Sequence, residues 1–200
     1  MKKNAREDRK SHIIETGICL FAEKGYYATT LDEIAQRIGV TKAALYYYVK
    51  SKEEILREIN KRNKARMEKP VRLSKSNLTP RDKLHKLVRY YVSFSAESAE
   101  EANILFNQTN SLPKKMRLEI TRKKKEVERA LQHILKEGVQ QGCFDIKNLR
   151  ITSFAILGLC NWTYHWYHPD GELTPKQIAD IFIDFIDKSI LVDKNKSDRG

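Results

Sequence analysis

The chain lacks most of what an enzyme or a secreted protein would show. Its 200 residues include three cysteines. Cys19, Cys143 and Cys160 stand far apart, in no CxxC or Cys/His spacing. Neither a disulfide framework nor a zinc site is expected, and small buried thiols in a reducing compartment are. No Gly-rich phosphate loop, nucleophile elbow or HExxH pattern occurs, so no enzymatic activity and no cofactor are expected. His165 and His168 lie three residues apart, but no Cys or carboxylate completes a metal set on that face. No run approaches the ~18 apolar residues of a membrane span, and no membrane partner is expected. The first residues are charged and carry no apolar export signal, so the expected location is cytoplasmic. There are no repeats and no alternating strand pattern. The chain reads as all-α.

Positive charge is what the chain has in excess. Lys plus Arg number 38 against 26 for Asp plus Glu, a net of +12. The excess is denser in residues 1–69 than beyond them, and it favours a polyanionic partner. A hydrophobic content of 40% is enough for a core. The length suits a protein of two lobes.

Residues 30–50 organise the rest. Thr30 and Glu33 have the spacing of a capping box, which satisfies orphan N–H groups at a helix start. Leu31, Ile34, Ala35 and Ile38 make one apolar face. Gly39 stands where that helix must stop, because glycine takes the left-handed conformation cheaply. Thr41 is a second N-cap, and 42–49 is a second helix. Helix, glycine turn and capped helix make a helix-turn-helix. An ordinary αα-corner has the same spacing. The surface of the second helix favours DNA: Lys42 at its start, small Ala43 and Ala44, then the phenols of Tyr46 and Tyr47 one turn on. Such a helix enters a major groove N-terminus first and bonds phosphates at the groove edges.

Three segments in order carry a family resemblance. Residues 21–30 fit F-x-x-x-G-[FY]-x-x-[TS]-[TS]. Residues 34–49 resemble I-A-x-x-x-G-V-[ST]-x-x-x-[LI]-Y-x-[HY]-F, with Tyr48 where histidine is frequent and Val49 where phenylalanine is. Residues 51–56 resemble [SP]-K-E-x-L. Together they resemble the N-terminal domain of the tetracycline-repressor (TetR/AcrR) family. The resemblance implies an N-terminal three-helix helix-turn-helix domain, residues 1–51, a connecting helix, 52–69, and a C-terminal helical ligand-binding and dimerisation domain, 70–200. It implies a homodimer on a palindromic operator, with Thr30, Thr41, Lys42, Ala43, Tyr46, Tyr47 and Lys50 against DNA.

Elsewhere the pattern is of helices and their caps. Residues 1–10 read as a mixed-charge arm, either frayed or following phosphates, before a helix that ends at Gly25. The basic helix from Lys52 is expected to end at Pro70, followed by a polar linker over 70–79. Thr79 and Pro80 open the next helix, a short one runs from Ala99 to Asn107, and the longest spans 114–141. Its Arg122–Lys125 charge run is expected to be a solvated face, and Phe144 a plug after the turn. One helix is expected over 147–167. The last, 175–191, follows a capping box at Thr174 and Gln177.

The two C-terminal helices are more apolar than one monomer core needs, which suggests a dimer face. The family implies that they pair across a two-fold axis. Trp162 and Trp166 are four apart on the expected 147–167 helix, either as packing residues or as a pocket wall with Asn161 or His165 as polar handle. Residues 161–175 resemble N-W-x-x-x-W-[YF]-x-P-x-G-x-[LM]-[TS], found in TetR-type regulators of fatty-acid and sterol breakdown. That subgroup implies a small-molecule effector, an acyl-CoA thioester. Phe94, Phe106, Met116 and Phe154 are candidate walls for its acyl chain, and Arg89, Lys114, Lys115 and Arg117 candidate cations for its headgroup. The rival readings are a DNA-binding protein whose second domain only dimerises or docks a protein, and a small helical enzyme or lipid carrier, against which the helix-turn-helix argues.

Overall fold

Every regular element is a helix in the computed structural model, which describes residues 2–106 and 109–192, with all side chains but those of residues 2–5, 105, 106 and 111. The helices are α1 (Lys2–Lys24), α2 (Leu31–Arg37), α3 (Lys42–Tyr48), α4 (Lys52–Ser74), α5 (Pro80–Glu97), α6 (Ala99–Phe106), α7 (Lys114–Gln140), α8 (Leu149–Asn161), α9 (Thr163–Trp166) and α10 (Pro175–Ile190). A single isolated β-bridge, Phe144 to Leu191, is the one strand-like pairing among the described residues. No helix among them is long and apolar enough to cross a membrane.

The chain divides into two compact units. One comprises Met1–Arg66 and Glu100–Arg122, the other Met67–Ala99 and Lys123–Gly200. The core of the first is built from Ile13, Ile18 and Phe21 of α1, Ile34 of α2, Leu45 of α3 and Ile55 and Ile59 of α4, all almost fully buried. Ile104 of α6 and Ile120 of α7 are buried there too. Polar side chains tie the edges: Asn103 donates to the Ala22 carbonyl (3.2 Å) and Asn60 to Glu119 (2.8 Å).

In the second unit, α5 packs on α8 and α10. Leu84, Leu87, Val88 and Val92 meet a buried set that includes Ile156, Cys160, Ile183 and Ile186. Asp187 of α10 accepts from Arg81 (2.7 Å) and faces His85 Nε2 (3.0 Å), both on α5. Lys83, almost wholly buried, is neutralised by Glu137 at 2.7 Å. Phe144 is the expected plug, 2% exposed against Gly138 of α7.

Three expectations are corrected. Residues 2–10 are not an arm but the first turns of α1. Ala, Arg, Glu and Lys are strong helix formers, and no Gly or Pro interrupts them. Pro70 does not end α4: it supplies no N–H and forgoes one ladder bond, yet the helix runs on to Ser74. The linker therefore starts at 75. The stretch expected as one helix over 147–167 is two. At Trp162 the N–H still bonds the Gly158 carbonyl (2.9 Å), but the Trp162 carbonyl accepts from His165, three residues on. The change from four-residue to three-residue bonding separates α8 from α9.

Candidate functional site

The helix-turn-helix is held by its own caps. Thr30 Oγ1 accepts from the Glu33 N–H (3.2 Å), and a Glu33 oxygen accepts from the Thr30 N–H (2.8 Å). Hydrogen bonds from Lys24 and from Thr30 hold the Glu33 carboxyl down at about 2. After α2, Gly39 takes φ +68 and lets the chain turn. Thr41 Oγ1 then accepts from the Ala44 N–H at 3.2 Å and starts α3.

Of α3 itself, only Leu45 is buried. It anchors the helix from beneath, with Val49 just past its end. Thr41, Lys42, Ala43, Tyr46, Tyr47 and Lys50 are all exposed, as is Thr30 at the start of α2. The expected DNA-facing residues are thus all open to solvent on one supported motif. Several are already oriented. Lys42 Nζ lies 2.9 Å from Asp32, and that bond raises its pKa. Lys50 Nζ donates to the Tyr46 carbonyl (2.8 Å). The Tyr47 ring meets Tyr48 edge-on, with the Arg6 guanidinium 5.1 Å from its centroid. Two residues outside the expected set bear on this surface: Arg6, read as part of a loose arm, and Lys52, which bonds the α1–α2 loop.

The expected effector residues are scattered. Phe94 on α5 and Met116 on α7 are buried, in different units. The Phe106 side chain lies outside the described residues. Phe154, Trp162, His165 and Trp166 lie on the surface of the second unit, not in its interior. Trp162 stacks on His165 at 4.1 Å, and Trp166 meets Phe182 edge-on at 6.4 Å. The two tryptophans thus meet different ring partners. The same unit also exposes apolar surface on α8 and α10, where Ile151, Ile181 and Phe185 are all more than half exposed. A groove of about 490 Å³ runs along it, lined by Ile151, Ala155, Leu159, Phe185, Ile186 and Ile190 among others.

The second unit holds buried polar atoms on two residues outside the expected set and on one within it. Ser95 on α5 and Thr163 on α9 are fully buried, and neither hydroxyl has a hydrogen-bond partner among the described residues. Asn161, expected as a polar handle, is half-buried, and its side-chain oxygen is buried without a partner among the described residues. Tyr91 and Cys160 are buried and close enough to interact electrostatically. Burial lifts the Tyr91 phenol above its ordinary value and the Cys160 thiol to about 12. Of the expected headgroup cations, Arg89 borders a groove of about 400 Å³ with Lys69, Lys86 and Tyr90. It also bonds Asp180 at 2.9 Å. Lys114, Lys115 and Arg117 belong to the first unit.

A capped helix pair with a small, exposed and basic second helix, on a strongly basic chain, defines a DNA-binding protein of the helix-turn-helix class. Comparison with known proteins gives the family. Residues 13–59 match the model of bacterial regulatory proteins of the tetR family, and residues 77–190 match a tetracyclin repressor-like C-terminal domain. The chain belongs to the TetR family of transcriptional regulators. Over 49 residues, 24% of this chain and 26% of the other, it is 51% identical to IcaR of Staphylococcus epidermidis, a negative regulator of a biofilm operon. That match spans about a quarter of the relative. Over 180 residues, 88% of this chain and 89% of the other, it is 25% identical to the transcriptional repressor KstR2 of Mycobacterium tuberculosis. Among solved structures, AibR in complex with isovaleryl coenzyme A and operator DNA aligns with a TM-score of 0.73 at 28% identity, over 88% of this chain and 97% of that one.

Proposed function

We propose that this protein is a cytoplasmic homodimeric repressor that holds a palindromic operator through α3 and is released from it by a small-molecule effector, an acyl-CoA thioester. The observation that carries the effector is that buried polar atoms of Ser95, Asn161 and Thr163 have no hydrogen-bond partner among the described residues of the second unit. Each such atom costs ~1–3 kcal/mol when left unpaired, and native proteins leave few of them so. A ligand that brought oxygen or amide groups to these atoms would remove that cost, and the energy recovered is available to shift a conformational equilibrium. The thioester class is supported by the 161–175 segment and by the AibR complex, whose ligand is isovaleryl coenzyme A. Lys69, Lys86 and Arg89 supply cations for the phosphates of such a ligand.

On DNA, Thr41 and Lys42 would fix the start of α3 on phosphates or base edges, and Tyr46, Tyr47 and Lys50 would bond backbone oxygens. Thr30 would meet a phosphate at the start of α2. A two-fold dimer sets two such helices about one DNA turn apart, ~34 Å. Effector binding would displace α4, change the spacing of the recognition helices and lower operator affinity.

The exposed positions of Phe154, Trp162 and Trp166 favour a second role for these residues. Beside Ile181 and Phe185 they suit a face covered by the second protomer better than a pocket wall. The test is to substitute Ser95→Val and Thr163→Val together and titrate acyl-CoAs against an operator complex. Loss of release, with operator affinity retained, is expected. Unaltered release would remove these hydroxyls from the effector site.

A further inference from the structure

Lys52, the first residue of α4, lies two positions after Lys50 and beside the recognition helix. On charge alone it would be assigned to a DNA phosphate. Its ammonium is engaged elsewhere. Lys52 Nζ donates to the Thr29 carbonyl at 2.6 Å and to the Tyr26 carbonyl at 2.8 Å, with the Tyr27 carbonyl at 3.4 Å. It also lies over the Tyr26 ring, 4.6 Å from the centroid. An ammonium has three N–H donors, and three carbonyls face this one.

Those carbonyls belong to the loop between α1 and α2, which has no helical ladder to satisfy them. The rest of the loop is fixed to match. Thr29 is fully buried and its hydroxyl lies 2.9 Å from the Gly25 carbonyl and 3.2 Å from that of Leu20. The Tyr26 hydroxyl donates to Glu53, the residue after Lys52, at 3.0 Å. That bond helps hold the Glu53 carboxyl below its usual range, after hydrogen bonds from Ser51 and from its own backbone. The loop runs directly into Thr30, the cap of α2. The first turn of α4 therefore holds the backbone that sets where α2 begins, and α3 follows α2 through a short turn.

We propose that Lys52 is a positioning residue for operator binding: its charge is spent on the α1–α2 loop, it contacts no phosphate, and it transmits the position of α4 to the helix-turn-helix. The inference rests on the family's DNA binding and on no effector.

The experiment measures affinity for a duplex that the wild-type protein selects from a random-sequence library, as a function of salt. Each phosphate contact contributes ~0.9 to the slope of log affinity against log salt. Lys52→Met is expected to weaken binding about tenfold or more, through loss of several charge-assisted bonds, at an unchanged slope. Lys50→Ala serves as the phosphate-contact control, with a slope reduced by ~0.9. Lys52→Arg is expected to be defective as well, because a planar guanidinium does not fit the place of a compact ammonium among three carbonyls. A slope reduced by ~0.9 in Lys52→Met, with full binding by Lys52→Arg, would make Lys52 a phosphate contact and overturn the proposal. Wild-type affinity in both variants would overturn it equally. Should Lys52→Met not fold, Lys52→Arg decides alone: wild-type binding refutes positioning, and weak binding at an unchanged slope supports it.

Discussion

Phe185 gives the sharpest test of the dimer. It stands on α10 with 63% of its surface exposed, at the edge of the groove shared with α8. An aromatic side chain can bury roughly 200 Å², so about 125 Å² of Phe185 remains to be covered. At ~25 cal/mol per Å² that is ~3 kcal/mol per protomer. A two-fold axis uses the residue twice, which gives ~6 kcal/mol as an upper figure. Association converts area to affinity incompletely, so about half of this should reach the dimer, or ~3 kcal/mol. Phe185→Ala is thus expected to raise the dimer dissociation constant about a hundredfold. Fold stability should barely change, because truncating an exposed side chain stays within about 0.5 kcal/mol. Sedimentation velocity from nanomolar to micromolar protein reads the dissociation constant, and operator binding at low protein concentration should fall with it. A variant that remains dimeric at the wild-type dissociation constant would refute the assignment of this face.

Three other substitutions test particular contacts. A Cβ added at Gly138 would overlap the Phe144 ring. The overpacking costs ~1–3 kcal/mol against a helix-propensity gain of ~1, so Gly138→Ala should lower the melting temperature by a few degrees and Phe144→Leu should partly restore it. Asp187→Asn removes a buried acceptor shared by Arg81 and His85. Arg81 is half exposed. The loss should therefore stay near ~2 kcal/mol by thermal or urea unfolding, and should not add to that of Arg81→Met. Glu33 has a carboxyl held at about 2 by Lys24 and Thr30. A depressed carboxyl contributes stability that is full above its unfolded value, near ~4.3, and is lost as pH falls toward 2. Glu33→Gln should flatten the stability profile in that window and leave its shape above pH ~5 unchanged. An identical slope in both proteins would show that Glu33 is not coupled to folding.

The local grammar of the chain was legible because its signals are near in sequence. Thr30 with Glu33, Thr41, Thr79 with Pro80, and Thr174 with Gln177 each cap a helix as their spacing implies. Gly39 has the positive φ that its position demanded. The three misread boundaries depend on what lies across the fold or on faint local changes. Proline is a strong stop signal, but Pro70 is buried in a helix that continues. The break at Trp162 has neither glycine nor proline, only a change from four-residue to three-residue bonding. The residues proposed here for an effector site were the least legible. Aromatic content drew attention to Trp162 and Trp166, which are exposed, while Ser95 and Thr163 are ordinary residues whose burial without partners among the described residues only the fold reveals. Lys52 was hidden for the same reason, since its carbonyl partners lie more than twenty residues upstream.

The most direct test of the central claim is operator release. A labelled operator duplex is bound to the wild-type dimer and followed by fluorescence anisotropy while acyl-CoAs of graded chain length are added, with free coenzyme A and free fatty acids as controls. Release by a thioester, saturating with ligand and absent with the controls, is the expected result, and the best chain length then defines the effector class. An operator complex that persists while native mass spectrometry shows the thioester bound to the dimer would contradict it, leaving a TetR-family DNA-binding protein that such ligands do not regulate.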